Sequence, residues 1–181
     1  MLLVHTCCTN CALNLLKSIE AEQGIDPSDI TLYYYNPNIH PESEWHARRQ
    51  ALQDTHSKLG YNIIIEPWKP RDYFDTIKHL SSSITNPQLR CPHCYYLRLQ
   101  HTFQYAADHN IDTVTTTMLT SSYMDREAIR RMGTALAAKY HLSFYIPTKL
   151  TCDLCTKGFY KQNYCGCVYS LTDRLSEKYL V

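Results

Sequence analysis

The nine cysteines of this 181-residue chain fall in groups. Cys7, Cys8 and Cys11 open the chain. Cys91 and Cys94 stand in Cys-Pro-His-Cys, Cys152 and Cys155 in Cys-Asp-Leu-Cys, and Cys165 and Cys167 in Cys-Gly-Cys. Buried cysteines serving only as small hydrophobes would scatter rather than gather at one- and two-residue gaps. Thiolates at such gaps bind zinc, hold iron–sulfur clusters or exchange disulfides. Cys91-x-x-Cys94 alone is compatible with half a zinc site, a redox dithiol or a pair of cluster ligands. Cys165-Gly166-Cys167 is too tight for an easy bridge between its own two members. A strained bridge there would be readily reduced; alternatively each cysteine serves a different partner. Cys152, Asp153 and Cys155 add candidate ligands just upstream. The odd number of cysteines argues against a complete disulfide framework.

These groups need elements to position them. Leu2-Leu3-Val4 predicts a buried strand. Leu13, Leu15, Leu16 and Ile19 predict a helix to about Gln23, closed by Gly24. Cys7, Cys8 and Cys11 then sit in the first strand-to-helix turn. Open α/β sheets bind ligands at that end of their strands, and the positive end of a helix favours thiolate. Further strands are expected at 30–35, 61–65, 113–118 and 143–146. Helices are expected at 41–59, 68–80, 91–110, 123–140 and 171–179. This alternation predicts a three-layer α/β domain over residues 1–181, with a doubly wound, mostly parallel sheet in the order 3-2-1-4-5. Cys91 and Cys94, at the start of their helix, can face the first turn. Cys7, Cys8, Cys11, Cys91 and Cys94 would then converge on one pocket. Four thiolates suit structural zinc or an iron–sulfur cluster, and the central position favours the cluster.

Charge is nearly balanced, at +1 with histidines neutral, so a nucleic-acid partner must be met by a local patch. No signal peptide is visible and no apolar run reaches the length of a membrane span, so a cytoplasmic protein is expected. Structural disulfides are rare in that compartment. His5 reads as a core or supporting residue, and His40 and His46 flank the polar loop after the second strand. Arg48, Arg49, Arg90 and Arg98 could meet phosphates, but each reads by default as a surface charge. Asp125 reads as a helix cap.

Five stretches together resemble the QueH-type epoxyqueuosine reductases. They are His5-Thr6-Cys7-Cys8-Thr9-Asn10-Cys11, Tyr34-Tyr35-Asn36-Pro37-Asn38-Ile39, Arg90-Cys91-Pro92-His93-Cys94-Tyr95-Tyr96-Leu97-Arg98-Leu99, Thr115-Thr116-Thr117-Met118-Leu119-Thr120 and Tyr164-Cys165-Gly166-Cys167-Val168-Tyr169-Ser170. They span nearly the whole chain in the family's order. The resemblance implies an adenine-nucleotide-hydrolase-like, Rossmann-like fold carrying a [4Fe-4S] cluster and an adjacent iron ion. It implies reduction of the epoxide of epoxyqueuosine to queuosine at the tRNA wobble position, with tRNA and an electron donor of unknown identity as partners. Carried over by position, Cys7, Cys8, Cys91 and Cys94 are cofactor ligands. Cys11 occupies a further ligand position, and Cys165 and Cys167 match a redox-active pair. The segment before Cys165 departs from the family's longer basic one, which makes Cys152 and Cys155 candidate ligands of a second metal. Removing an epoxide oxygen also needs an acid, for which Asp153 and Tyr35 are candidates. The departure leaves open a related enzyme acting on another modified tRNA nucleotide, such as a thiolated one. A zinc-stapled RNA-binding module without catalysis is the reading from another class.

Overall fold

A computed structural model describes residues 1–149, 160 and 162–180. Strand β1 (Leu2–His5) lies at the centre of a five-stranded parallel sheet. It pairs with β2 (Ile30–Tyr34) on one side and β4 (Thr113–Thr116) on the other. β3 (Asn62–Ile65) and β5 (Ser143–Phe144) form the edges, so the order is β3-β2-β1-β4-β5, as the alternation of elements predicts. Every residue of β1 and β2 is buried, as befits strands covered on both faces.

Alternate side chains of these strands feed two cores. On one face, Leu2, Val4, Leu32 and Tyr34 meet α1 (Thr9–Gln23) and α2 (Glu42–Leu59) through Leu15, Ile19, Trp45 and Leu52. On the other, Leu3, Tyr33 and Val114 meet α4 (Pro87–Asp108) and α5 (Arg126–Tyr140) through Leu99, Phe103, Ile129 and Leu136. The chain winds outward from β1 in both directions. The gap between β1 and β4 is therefore the switch point where ligands bind in such sheets. Between β3 and α4 run α3 (Pro70–Ile77) and a 3-10 stretch, Lys78–Thr85. Among the described residues no helix is long and apolar enough to cross a membrane.

Several boundaries differ from the expected ones for local reasons. α4 begins at Pro87 rather than Cys91, because Asn86 caps it by accepting from Gln88 N at 2.9 Å and Pro87 fills the first helical position. Cys91 and Cys94 consequently stand inside the helix instead of at its start, with Pro92 between them. α5 begins at Arg126 because the Asp125 carboxylate accepts from Ala128 N at 2.9 Å. α6 (Val168–Tyr179) starts before Leu171, and its cap is Cys167, whose sulfur accepts from Ser170 N at 3.4 Å. Tyr35 falls just past β2.

Candidate metal centre

At the carboxyl end of β1 the chain turns sharply into α1, and Cys8 is the cap residue. The turn brings the sulfurs of Cys7, Cys8 and Cys11 within 4.8 Å of one another. Cys7 and Cys8 are buried and Cys11 is partly so. The 3-10 turn that follows β4, Thr117–Thr120, fixes the first turn from the other side of the switch point. The Thr117 hydroxyl accepts from Cys7 N at 3.1 Å and donates to Cys7 Sγ at 3.3 Å. Hydrogen bonds from the Cys11 and Cys8 thiols pull the Cys7 thiol well below its usual range, while Cys11 is pushed up by its own bonds with Cys7 and Cys8. The Cys11 contact lowers Cys8, but its bond to Cys7 and its burial outweigh that and lift it to about 12. Three converging sulfurs, one of them favouring the thiolate, are a donor set for a thiophilic metal.

A pocket of about 250 Å³ opens over this triad, and Cys165 shares its lining. A smaller cleft of about 20 Å³ lies beside it, lined by Cys91, Cys94, Cys165 and Cys167 with Arg90 and Arg98. Cys165, Tyr123 and Met124 belong to both. Cys91 and Cys94 are one turn apart on α4 and so share a face. Burial raises both thiols, Cys94 to about 12. Cys165 and Cys167 stand as free thiols with sulfurs 3.9 Å apart, well beyond the ~2.05 Å of a disulfide. The bond it shares with the Cys167 thiol lowers Cys165 to about 5 and raises Cys167.

The Cys165-Gly166-Cys167 turn is clamped from α2 and from the loop after β2. Arg48 Nη1 donates to the Cys165 carbonyl at 3.2 Å, and its Nε donates to Glu44 Oε1 at 2.7 Å. His40 N donates to the Gly166 carbonyl at 2.8 Å, and the Tyr164 hydroxyl donates to the His40 carbonyl at 3.0 Å. Tyr160 donates to the second oxygen of Glu44.

Arg48, Arg90 and Arg98 are no more than 2 % exposed, which corrects their reading as surface charges. Arg48 has Glu44 as its carboxylate partner, but neither Arg90 nor Arg98 has one among the described residues. A buried cation without a counter-charge is costly. Burial alone would lower the Arg98 pKa, yet charge on Cys94, Cys7 and Cys165 more than offsets it. Arg90 is held up in the same way by Cys167, Cys91 and Cys165. Of these sulfurs, Cys7 and Cys165 are the ones shifted toward thiolate and so face the guanidiniums as anions, and the donor set fits a metal–thiolate group that would give the remaining sulfurs their charge. His5 is buried and neutral, its pKa lowered to about 3 by burial and by Arg98. Its Nε2–H donates to the Tyr35 carbonyl at 3.1 Å, which leaves Nδ1 to accept from the Thr116 hydroxyl at 2.9 Å. It ties β2 and β4 to the first turn and takes the supporting place expected of it.

The structure groups Cys7, Cys8 and Cys11 tightly, and Cys91 and Cys94 lie with the tail pair in the neighbouring cleft rather than within that triad. Tyr35 lines neither cavity. Its hydroxyl donates to Asp72 Oδ2 at 3.1 Å and its ring stacks on His101 at 3.6 Å. Cys152, Asp153 and Cys155 lie outside the described residues. Sequence reasoning missed the buried arginines, although a signal was present. Arg90, Cys94 and Arg98 recur every four residues on one helical face, so whatever turns Cys94 inward turns both arginines inward.

Comparison with known proteins agrees with this geometry. The family model described as epoxyqueuosine reductase QueH matches residues 2–173. The epoxyqueuosine reductase QueH of Histophilus somni is 31% identical over 181 residues, covering 95% of this chain and 72% of that protein. That of Dehalococcoides mccartyi is 31% identical over 186 residues, covering 97% and 95%. That of Thermotoga maritima is 28% identical, covering 95% and 91%. A match over nearly the whole chain, with Cys7, Cys8 and Cys11 standing at the switch point of the sheet, places this chain in the epoxyqueuosine reductase QueH family.

Proposed function

We propose that this chain reduces the epoxide of epoxyqueuosine at the tRNA wobble position to the alkene of queuosine, using iron held by its cysteines. The observation that carries this reading is the pocket at the switch point, where Cys7, Cys8, Cys11 and Cys165 share one lining. The reaction removes the epoxide oxygen as water and takes two electrons and two protons. Cys7, Cys8 and Cys11 hold metal at the pocket floor. Cys91 and Cys94 complete the thiolate set for a [4Fe-4S] cluster with an adjacent iron. Such a group supplies single electrons and a Lewis-acidic position for an oxygen ligand when bound.

The chain's own residues supply the rest. Arg98, Arg90 and Arg48 hold negative charge on the sulfurs without water. Cys165 and Cys167 are placed to give up two electrons and two protons as they join in a disulfide, and a donor of unknown identity reopens it. Glu44, Arg48 and His40 keep that pair against the pocket. Only the tRNA nucleotide must enter, which suits a pocket of this size with an open mouth.

The test is metal counting beside turnover. Cys8→Ser and Cys11→Ser proteins, loaded anaerobically, are expected to lose bound iron and epoxyqueuosine reduction together. Full iron and full turnover in both would overturn the assignment.

A further inference from the structure

The pocket over the cysteine triad has a second, polar wall that the chemistry above does not use. Asn10 and Asn14 face it from successive turns of α1, and Gln162 from the irregular stretch just before Cys165. Asn10 Oδ1, Asn14 Oδ1 and Gln162 Nε2 are all shielded from solvent, and none has a partner among the described residues. The Asn10 amide is oriented by its Nδ2, which donates to the Tyr160 carbonyl at 3.4 Å, so its oxygen is the atom left free. Unpaired buried polar atoms are costly, and three on one pocket wall point to a ligand that pairs them. Arg48 Nη2 also has no partner among the described residues, but its guanidinium is already held in place by Glu44 and the Cys165 carbonyl. Tyr123, 56 % exposed, stands at the mouth of both cavities.

We infer that Asn10, Asn14 and Gln162 form a subsite that reads the pairing edge of a guanine-type base, with Tyr123 as its stacking face. Two acceptors and one donor call for a planar group offering two donors and one acceptor. The guanine-type edge does so, with N1–H, the 2-amino group and O6. Adenine, cytosine and uracil edges each lack the second donor. Bases taken out of a stack are read in this way, through their pairing edge and an aromatic face. The subsite deepens the proposed function, on which it rests: the 7-deazaguanine ring of the substrate would be held at the polar wall, with its 7-substituent free to reach the sulfurs.

The experiment measures equilibrium binding of 7-deazaguanosine, 7-deazainosine and 7-deazaadenosine to the full chain loaded anaerobically with iron. 7-Deazaguanosine is expected to bind about tenfold tighter than 7-deazainosine, which leaves one amide oxygen unpaired, and tighter still than 7-deazaadenosine. The Asn14→Leu, Gln162→Met double variant is expected to erase that preference, and so is the Asn10→Leu, Gln162→Met pair. Iron content equal to the unsubstituted protein shows that each variant is folded. Equal affinity for the three nucleosides, including no measurable binding of any, overturns the subsite, as does a preference that survives in both variants. Reduction of epoxyqueuosine tRNA is scored separately on the unsubstituted chain. A guanine preference without reduction would overturn the proposed activity and leave the subsite standing; reduction without the preference would do the reverse.

Discussion

Replacing Gly166 by alanine tests whether the Cys-Gly-Cys turn works by its placement. Gly166 has φ of 119°, a conformation that costs an L residue about 1–3 kcal/mol. A Cβ there would also stand 3.0 Å from Arg48 Nη1 and 3.1 Å from Ile39 Cγ1. Neither neighbour yields easily. Ile39 is fully buried, and Arg48 is held between Glu44 and the Cys165 carbonyl. Overpacking of this kind adds about 1–3 kcal/mol. The cheapest escape is for the turn to lift off α2, carrying Cys165 and Cys167 out of the cavities they share with the other cysteines. A misplacement of ~1 Å costs on the order of a hundredfold in rate. Gly166→Ala is therefore expected to keep its iron and its sheet, yet to reduce epoxyqueuosine in single-turnover assays with a chemical reductant at least about a hundredfold more slowly. Turnover within about threefold of the unsubstituted protein would refute the reasoning, because so small a loss is under 1 kcal/mol.

Two further predictions follow from the buried and the exposed arginines. Arg98→Met, in the iron-loaded protein, is expected to leave the sulfurs' negative charge unbalanced at a cost of about 3–5 kcal/mol, lowering the thermal midpoint by roughly 6–20 °C with loss of iron. An unchanged or higher midpoint would mean that Cys94, Cys7 and Cys165 are neutral thiols, since a buried cation without anions is better replaced by an apolar side chain. Arg126 lies exposed next to Ser121 of the pocket lining, its Nε donating to the Ser121 carbonyl at 3.2 Å. Arg126→Ala is expected to reduce the slope of log affinity for tRNA against log salt by about 0.7–0.9; the same slope in both proteins would remove it from the backbone contacts.

The sheet order was readable because each apolar run of four to six residues alternates with a helical stretch, and such a chain can wind only a few ways. Grouped cysteines at the end of the first strand also announced the site, since that end of a strand is where the fold exposes its turns. Other features were hidden by competing local signals. Pro92 between two cysteines looks like a helix start, but Asn86-Pro87 is a better one, and a helix tolerates a proline late in its first turns at a cost of ~3 kcal/mol when packing holds it. Arginine is rarely buried, so Arg90 and Arg98 read as surface charges until the thiolates that balance them are in place. Tyr35 looked available as an acid because sequence shows the hydroxyl but not Asp72, 37 residues away, that engages it. The fit of Gly166 against Arg48 is likewise a contact between distant segments, which spacing along the chain does not encode.

The most direct measurement is chemical. The full chain, purified without oxygen and loaded with iron, is mixed with tRNA carrying epoxyqueuosine and a low-potential reductant, and the tRNA is digested for nucleoside mass analysis. The expected result is an iron-bearing, visibly coloured protein that converts epoxyqueuosine to queuosine with loss of one oxygen, and no conversion when Cys7 and Cys8 are both serine. A colourless zinc protein that leaves epoxyqueuosine intact would contradict it.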